Sequence, residues 1–364
     1  MRSASRGLLI VMALLTALGV VMVYSSSAIY AQETYGDAAY FLKRHLVYLA
    51  LGMMGFFAVL GIEEGKIRRW AKPFMVVVLL MLAAVVIPGI GHRVSGARRW
   101  FKLGGFSFQP SELSQLAIIL YMADVLTRKR SLLRDFFQGV LPALLVLGLT
   151  VGLILIEPDL GTSLATAVVA VLMLFIAEVR WQILLPMFLS AVPAVIVLVL
   201  TKPYRMRRIA AYLNPWADPE GSGFQLIQSL VALGSGGLLG VGLGESRQKL
   251  FYLPAAHTDF IFAVIGEELG FIGATAVLVL FGFLFWYGLR LALAAPDPFG
   301  MMTALGIVML LALEMLVNMG VVTGAIPTKG LPLPFISYGG SSLIVNLVSI
   351  AVLLNVVRPR KAVA

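Results

Sequence analysis

The stretch that decides the fold is QGVLPALLVLGLTVGLILIEPDLGTSLATAVVAVLMLFIA, residues 138–177. Two almost wholly apolar runs, 138–156 and 161–177, stand on either side of the polar turn Glu157-Pro158-Asp159-Leu160. A transmembrane helix needs about 20 mostly apolar residues, because the hydrocarbon core of a bilayer is about 30 Å thick. Each run is close to that length, so the stretch predicts two membrane-spanning helices joined by a turn that carries two carboxylates.

The composition of the whole chain agrees with a protein that has lipid as its solvent. Apolar residues make up 60% of the 364 positions and charged residues 13%, about half of the usual quarter. This excludes a disordered chain, a collagen-like chain and a typical soluble two-domain enzyme. The absence of cysteine excludes disulfides and thiolate metal sites. The net charge of +10 is better explained by cytoplasmic loops and anionic headgroups than by nucleic acid.

Eight further runs have the length and composition of transmembrane helices, which predicts an all-α polytopic membrane protein with ten spans. The predicted spans are 8–27, 46–63, 73–90, 110–127, 138–156, 161–177, 183–201, 260–286, 300–323 and 336–357. The first run resembles a signal peptide, but it is long for one and nine spans follow, so we expect it to be retained. No repeat at a fixed period divides the chain, and we expect residues 1–364 to form a single membrane domain.

The distribution of positive charge favours both termini in the cytoplasm. Ten spans place both termini on one side, and the inner segments would then carry 15 Lys and Arg against 13 in the outer segments. Ten of those 13 lie in two long connections, 91–109 and 202–259, and long loops are largely exempt from the positive-inside rule. The connection 202–259, between the seventh and eighth spans, is then a large extracellular loop.

This large loop holds one short apolar helix and one glycine-dense segment. Residues Phe224–Leu233 have the apolar spacing of a helix but are too few to span a bilayer, so we expect an interfacial or re-entrant helix. The segment Gly234–Gly244 lacks the Gly-Lys-Ser/Thr of a phosphate loop and fails the G-x-G-x-x-G register. We interpret it as a flexible or closely packed turn.

The unusual polar residues fall on the predicted outer side. The connections between spans 3 and 4, 5 and 6, 7 and 8, and 9 and 10 face outward, and each carries charged or polar motifs. Ionisable groups near membrane depth are costly and are therefore candidates for function. The candidates are Arg98, Arg99, Glu112, Asp159, Arg205, Arg207, Arg208, Asp259, Lys329 and Ser337.

Several of these candidates also have a structural interpretation. Arg98 and Arg99 suit snorkelling to lipid headgroups. Asp259 stands where it can cap the N-terminus of a helix, and Asp159 suits a tight turn between two helices. Glu112, inside the start of a span, suits pairing with a neighbouring helix.

Arginines beside carboxylates on the outer face suit a lipid that carries pyrophosphate. The outer face of a bacterial membrane has no ATP, so such a substrate must bring its own leaving group. Guanidinium groups bind phosphate oxygens bidentately. A carboxylate can accept a proton from an attacking hydroxyl or hold a divalent cation that bridges the pyrophosphate. A transporter with polar groups at the midplane is the alternative, and the sparse charge on the inner face counts mildly against it.

Four ordered motifs resemble the signatures of the SEDS proteins, the family of FtsW, RodA and SpoVE. The first is GARRWFKLGGFSFQPSEL at 96–113, and the second is EPDLGT at 157–162. The third is HTDFIF at 257–262 followed by GEELG at 266–270, and the fourth is LPLPFISYGGSS at 331–342. The similarity runs from the first predicted span to the tenth, essentially the whole chain.

The resemblance implies a ten-helix glycosyltransferase that polymerises lipid II outside the bacterial cytoplasmic membrane and works with a class B penicillin-binding protein. It makes Asp259 the essential acid, as general base toward the GlcNAc 4-hydroxyl or in metal-assisted activation of it. The leaving group of this inverting-type transfer would be undecaprenyl pyrophosphate. Its charge would be met by Arg98, Arg99, Arg205, Arg207 and Arg208. The resemblance also implies a divalent cation, Mg or Mn, at an unknown site, and no organic cofactor.

Two short segments indicate which branch of the family this chain resembles most. PTKG at 327–330 and GESRQK at 244–249 are more similar to FtsW and SpoVE than to RodA, which favours septal synthesis over elongation. Many relatives carry an acidic residue just before the third motif, where this chain has LPAA at 253–256, so any role of that acid is absent here or moved elsewhere. A lipid II flippase and a scaffold for the transpeptidase are the alternatives, and a flippase would need a polar path to the inner face.

Overall fold

The computed structural model describes residues 2–63, 65–94, 96–104, 106–249 and 253–358. In these residues the chain forms twelve α-helices and a small sheet with strands β1 (His92–Val94), β2 (Ala97–Leu103) and β3 (Phe106–Phe108). The helices are α1 (Arg2–Tyr35), α2 (Tyr40–Leu60), α3 (Lys66–Val86), α4 (Pro110–Arg128), α5 (Leu141–Ile156), α6 (Leu160–Ile176), α7 (Trp181–Leu200), α8 (Pro203–Leu213), α9 (Phe224–Ser235), α10 (Ile261–Leu293), α11 (Pro298–Val322) and α12 (Ser341–Val356).

Each predicted span overlaps one helix, α1 to α7 and α10 to α12 in chain order. Within the described residues, seven helices are long and apolar enough to cross a membrane: α1, α2, α3, α5 with the π-helical turn before it, α7, α10 and α11. α6 and α12 are apolar but have 17 and 16 residues, and α4 carries Glu112, Asp124 and Arg128. The chain is therefore a multi-pass membrane protein by length and composition, and the tenfold crossing stays a prediction.

The connection 91–109 folds as a sheet, which corrects the prediction of an all-α chain. Its strands are antiparallel in the order β1-β2-β3, with Phe101 opposite Phe108. Gly96 and Gly104 have φ of 85° and 53°, and such positive φ at the reversals between strands favours glycine. The sequence signal was available, because these two glycines flank a run of aromatic and charged residues with no helical repeat.

α11 lies at the centre of the bundle. It packs against α4, α6, α10 and α12, and most of its side chains are buried. α2 packs on α12 and α1 packs on α10. α7 lies at the periphery and exposes most of its apolar side chains, as a lipid-facing helix does.

Helix α10 is broken at Gly270, and the glycine-dense segment packs into the break. Gly270 has φ 66° and ψ −167°, outside the helical region. The N–H groups of Val241 and Gly242 donate to helix carbonyls just before the break, at 3.0 and 3.1 Å. A Cβ on Gly240 would lie 2.1 Å from a carbonyl oxygen of α10. From Gly236 to Gly242 the glycine-dense segment is therefore closely packed against α10, one of the two interpretations that its sequence allowed, whereas Gly234 belongs to α9 and has open space around it.

Candidate functional site

One cavity of about 530 Å³ collects residues from all four motifs. Its walls are the first turns of α2, strand β2, the N-terminal ends of α4 and α6, the loop before α10, the C-terminal half of α11, and the loop before α12 with the first turns of that helix. The alternation of predicted spans places these motifs on one side of the membrane, and the fold brings them together. Of the candidates, Arg99, Glu112, Asp159 and Asp259 line this cavity.

Asp259 presents a carboxylate that is free to accept a proton. It precedes α10 but does not cap it, because the helix begins after Phe260 without a side-chain capping bond. Within the described residues, no hydrogen bond to its carboxylate is formed. Burial raises the pKa of Asp259 to about 6; Arg208 acts to lower this pKa, and Asp159 acts to raise it. A carboxyl group with a pKa near the working pH suits general-base catalysis.

The backbone around Asp259 is held by α11 and by the loop before α12. Asn318 Nδ2 donates to the carbonyl oxygens of Asp259 and Leu331, both at 2.8 Å. A Cβ on Gly330 would lie 2.6 Å from Asp259 Oδ2. The loop can therefore approach the carboxylate this closely because residue 330 has no side chain.

Ser337 joins two loops at the edge of the site. Its hydroxyl donates to the Thr258 carbonyl at 2.6 Å and accepts from the Leu333 N–H at 2.8 Å. The Tyr338 N–H donates to the His257 carbonyl at 2.9 Å. These bonds give Ser337 a positioning role, and its predicted contact with substrate stays a prediction.

Asp159 caps α6 and is already well engaged. Its carboxylate accepts from the N–H and the hydroxyl of Thr162, both at 3.0 Å, and from Gln109 Nε2 at 3.1 Å. Arg99 Nη1 lies 3.8 Å from Asp159 Oδ2. The structural interpretation of Asp159 as a turn residue therefore holds, while its side chain also faces the cavity.

Arg99 braces the turn between α5 and α6. Its guanidinium donates to the carbonyls of Glu157 at 2.7 Å and Pro158 at 2.9 Å. Burial, with a smaller contribution from Asp159, raises the pKa of Glu157 to about 8, so this carboxyl is mostly neutral at pH 7. Arg98 precedes Arg99 on β2, where successive side chains point to opposite faces, and it does not line the cavity.

The three arginines of α8 do not act together. Arg205 is buried and donates to the Tyr204 hydroxyl at 2.9 Å and to the Leu198 carbonyl at 2.5 Å, facing back toward α7. Arg207 and Arg208 are exposed and line a neighbouring pocket of about 480 Å³. Arg208 is the one whose charge acts on Asp259.

The loop beside Arg208 supplies a further cation. Arg208 Nη1 donates to the Thr328 carbonyl at 3.4 Å, and Lys329 follows in the chain. Lys329 is half-buried, and burial lowers its pKa against the opposing effect of Asp159. Lys329 thus lies between Thr328, which lines the neighbouring pocket, and Gly330, which lines the cavity, and it is close enough to Asp159 to interact electrostatically.

Sequence reasoning missed five residues of this site: Arg44, Gln115, Glu314, Asn318 and Asn346. Arg44 lines the cavity from the start of α2, where an arginine also suits an interfacial anchor. The other four lie inside predicted spans, and a polar residue within an apolar span was the available signal. Nothing in the sequence shows that three different helices bring these residues to one place.

Comparison with known proteins agrees with the motifs. The sequence profile of the cell cycle proteins FtsW, RodA and SpoVE matches residues 5–362. A probable peptidoglycan glycosyltransferase FtsW of Geobacter sp. (strain M18) is 49% identical over 94% of this chain and 94% of its own. Stage V sporulation protein E of Bacillus subtilis (strain 168) is 46% identical over 96% of both chains.

A solved structure also matches over nearly the whole length. Its subject is "structural coordination of polymerization and crosslinking by a peptidoglycan synthase complex", and one of its chains is 34% identical with a TM-score of 0.78. The match covers 96% of each chain.

Proposed function

Because the chain belongs to the FtsW/RodA/SpoVE family of cell cycle proteins, we propose that it is a peptidoglycan glycosyltransferase that polymerises lipid II into glycan strands. The observation that carries the proposal is Asp259, whose partly buried carboxylate faces the cavity and accepts no hydrogen bond within the described residues. The names of the two relatives support this activity and a place in the FtsW and SpoVE branch, for division rather than elongation.

In the proposed reaction, the 4-hydroxyl oxygen of the acceptor GlcNAc attacks the anomeric carbon of the donor sugar. A new C–O bond forms on the face opposite the bond that breaks, so the configuration is inverted. Asp259 takes the hydroxyl proton as general base, and undecaprenyl pyrophosphate leaves with the bonding electron pair. With a pKa raised to about 6, Asp259 is a stronger base than an ordinary aspartate and is still mostly ionised at neutral pH.

The basic side chains at the mouth of the cavity would stabilise the departing pyrophosphate. Arg44 and Arg99 line the cavity, and Arg208 and Lys329 stand beside it. Arg99 is preorganised, because two backbone carbonyls hold its guanidinium at 2.7 and 2.9 Å. Charges that are already in place where negative charge develops stabilise a transition state without reorganisation.

A divalent cation, Mg or Mn, fits the same region. In the metal-assisted alternative, Asp259 would hold the cation instead of acting as the free base, and Asp159 beside it is already engaged by Thr162 and Gln109. Mg²⁺ is commonly held by one or two carboxylates together with substrate phosphates and water. In the part of the chain that the structure describes, no three His, Cys, Asp or Glu residues are grouped to hold a metal. We therefore propose a cation completed by the pyrophosphate, which would supply positive charge to the leaving group.

We place the cavity on the outer face of the cytoplasmic membrane, with ten spans and both termini in the cytoplasm. The large loop 202–259 would then be extracellular, next to a class B penicillin-binding protein as partner. The support for this partner is the matching solved complex, which coordinates polymerization and crosslinking. Crosslinking needs polymerisation, since new glycan strands are the substrate of the crosslinking step.

Packing below the cavity favours an enzyme over a flippase. Ile119 lies one turn below Gln115 on α4, and it packs on Gly306 of α11, where a Cβ would lie 2.6 Å from its Cγ2 atom. Ile307 and Leu311 beside them are fully buried. This apolar layer separates the polar cavity from the other end of the bundle, whereas a flippase needs a polar path across it.

The test is strand formation by the purified chain with its transpeptidase partner, labelled lipid II and Mg²⁺ or Mn²⁺. We expect glycan ladders from wild type and from Asp37→Asn, an exposed control aspartate. Asp259→Asn should lose about 10²–10⁴-fold in rate, the usual contribution of general acid–base catalysis. Equal ladders from all three would remove Asp259 as the base. No ladders from folded wild type would shift the proposal to transport or scaffolding.

A further inference from the structure

We propose that the floor of the cavity is a subsite for the neutral sugar ring that carries the attacking hydroxyl, formed by Gln115, Glu314 and Asn346. The proposal rests on the proposed polymerase function and deepens it. It divides one cavity into two parts, with a sugar ring on the floor and the pyrophosphate at the mouth.

The floor residues share an unusual property, which is that each has a buried polar atom that forms no complete hydrogen bond within the described residues, although the Gln115 amide lies near the Glu314 carboxyl. The atoms are Gln115 Nε2, Glu314 Oε2 and Asn346 Nδ2. The three side chains are only 3%, 6% and 3% exposed, and all three line the cavity. Buried polar groups in native proteins are nearly always hydrogen-bonded. Three such groups from three helices, converging on one cavity, indicate a polar ligand there.

The chemistry of these atoms matches a sugar with an N-acetyl group. Gln115 and Asn346 offer amide N–H donors, and Glu314 offers an acceptor oxygen. Glu112 adds a second acceptor, since its Oε2 is also buried and has no partner among the described residues. Glu112 lies three residues before Gln115 on the same face of α4. Sugar hydroxyls both donate and accept, and an acetamido group offers one N–H and one C=O, so the ring can satisfy both kinds of group.

Charge decides which part of the substrate belongs on the floor. The floor carries two carboxyl groups, Glu112 and Glu314, and no cation among the described lining residues, so it offers nothing to neutralise a pyrophosphate. The arginines among the described lining residues, Arg44 and Arg99, belong to α2 and β2 at the mouth. A neutral ring therefore fits the floor, and the anionic leaving group fits the mouth.

The position of Asp259 assigns this ring to the acceptor. Glu314 and Asn318 lie four residues apart on one face of α11, and Asn318 holds the Asp259 carbonyl at 2.8 Å. One helical turn is about 5.4 Å, which is within the reach of a sugar ring. A ring bound by Glu314 thus presents a hydroxyl to the proposed base.

The experiment separates acceptor from donor by chemistry. The acceptor probe is the α-methyl glycoside of GlcNAc-MurNAc-pentapeptide, which has no pyrophosphate and cannot act as donor. The donor probe is lipid II with a 4-O-methyl GlcNAc, which cannot act as acceptor. Transfer between them gives one tetrasaccharide and undecaprenyl pyrophosphate. Apparent KM is measured for each probe, and the Kd of the methyl glycoside is measured without donor, so that one readout needs no catalysis.

We expect Glu314→Gln and Asn346→Ala each to raise the KM and the Kd for the acceptor probe about tenfold, equivalent to about 1.4 kcal/mol. The KM for the donor probe should not change. Arg44→Gln is the crossed control, because it should raise the KM for the donor probe and leave the Kd of the methyl glycoside unchanged. The two floor variants lie on different helices. If one of them unfolds below the wild-type midpoint, the other still tests the proposal.

Two results would overturn the subsite. One is unchanged binding of the methyl glycoside by folded floor variants, and the other is an equal rise in KM for both probes. Failure of the proposed function looks different, because wild type would then make no tetrasaccharide at all. Wild type that binds the methyl glycoside in a manner dependent on Glu314, yet makes no tetrasaccharide, would keep the subsite and reject the polymerase.

Discussion

The ion pair between Lys249 and Glu268 ties the large loop to the broken helix α10. Lys249 Nζ lies 2.9 Å from Glu268 Oε1, and the two side chains are 4% and 0% exposed. Lys249 also donates to the Gly244 carbonyl at 2.6 Å. The Ser25 hydroxyl of α1 donates to both oxygens of Glu268, at 2.7 and 2.6 Å. One buried network therefore joins α1, the loop and α10.

Removing one partner of this pair is the perturbation. Lys249→Met leaves Glu268 buried and without its cation, and breaking a buried pair in this way costs about 3–5 kcal/mol. Glu268→Leu leaves the Lys249 ammonium group buried without its carboxylate and should cost a similar amount. The double variant leaves no unpaired charge buried, and replacement of a buried pair by apolar residues is often neutral. We therefore expect the double variant to be more stable than either single variant.

The assay is the midpoint of thermal unfolding of the purified protein in detergent. A change of 1 kcal/mol shifts this midpoint by about 2–4 °C in domains of 150–250 residues, and by less in longer chains. Each single variant should therefore unfold about 5–10 °C below wild type. Lys43→Met is the matched control, because it removes an ion pair of similar length, 2.7 Å to Asp37, that is exposed.

Exposed pairs contribute little to stability, so Lys43→Met should leave the midpoint where it is. The reasoning is refuted if the Lys249 and Glu268 variants also unfold at the wild-type temperature. It is refuted equally if the destabilisation in the double variant equals the sum of the two single effects, because contacting groups that form one buried unit must couple.

Three further predictions concern the site and the break in α10. The rate of polymerisation should fall about tenfold per pH unit below pH 6, as Asp259 becomes protonated; Arg208→Gln should move this limb to higher pH, because Arg208 lowers the pKa of Asp259. Asn318→Ala removes the 2.8 Å bond that holds the Asp259 carbonyl, and the rate at saturating lipid II should fall about tenfold or more, since small misplacements of a reacting group are costly. Gly270→Ala should lower the unfolding midpoint, because a Cβ there would lie 2.3 Å from a backbone nitrogen at a φ of 66°, whereas Gly234→Ala, with open space around it, should raise the midpoint slightly.

That the motifs gather at one end of the bundle could be predicted from span parity alone. Asp159 and Asp259 are separated by 100 positions in the chain, yet each lies in a connection that follows an odd-numbered predicted span, and the two meet in one cavity. Parity needs only the number of intervening spans, which composition gives well. It says nothing about the direction of a side chain, and that is where prediction failed.

The directions of the arginine side chains depend on local structure that was not predicted from the sequence. Arg98 and Arg99 diverge because they are neighbours on a strand, in a connection that was not recognised as a sheet. Arg205 is buried while Arg207 and Arg208 are exposed, because α8 has one face against the protein. The floor residues were missed for another reason: Gln115 and Glu314 are single polar residues in long apolar runs, and only packing of the helices shows that they converge.

The break in α10 connects the stability of the loop to the position of the proposed base. Asp259 stands just before the first half of the helix, Ile261–Leu269, and Glu268 lies at its other end. Nine residues of helix are about 13 Å long, so both ends are fixed to different parts of the bundle over a short distance. Asn318 of α11 holds one end and Lys249 with α1 holds the other. A half-helix clamped at both ends cannot rotate without breaking a buried bond. This fixes the backbone from which the Asp259 side chain projects toward the cavity, although within the described residues the carboxylate itself accepts no hydrogen bond.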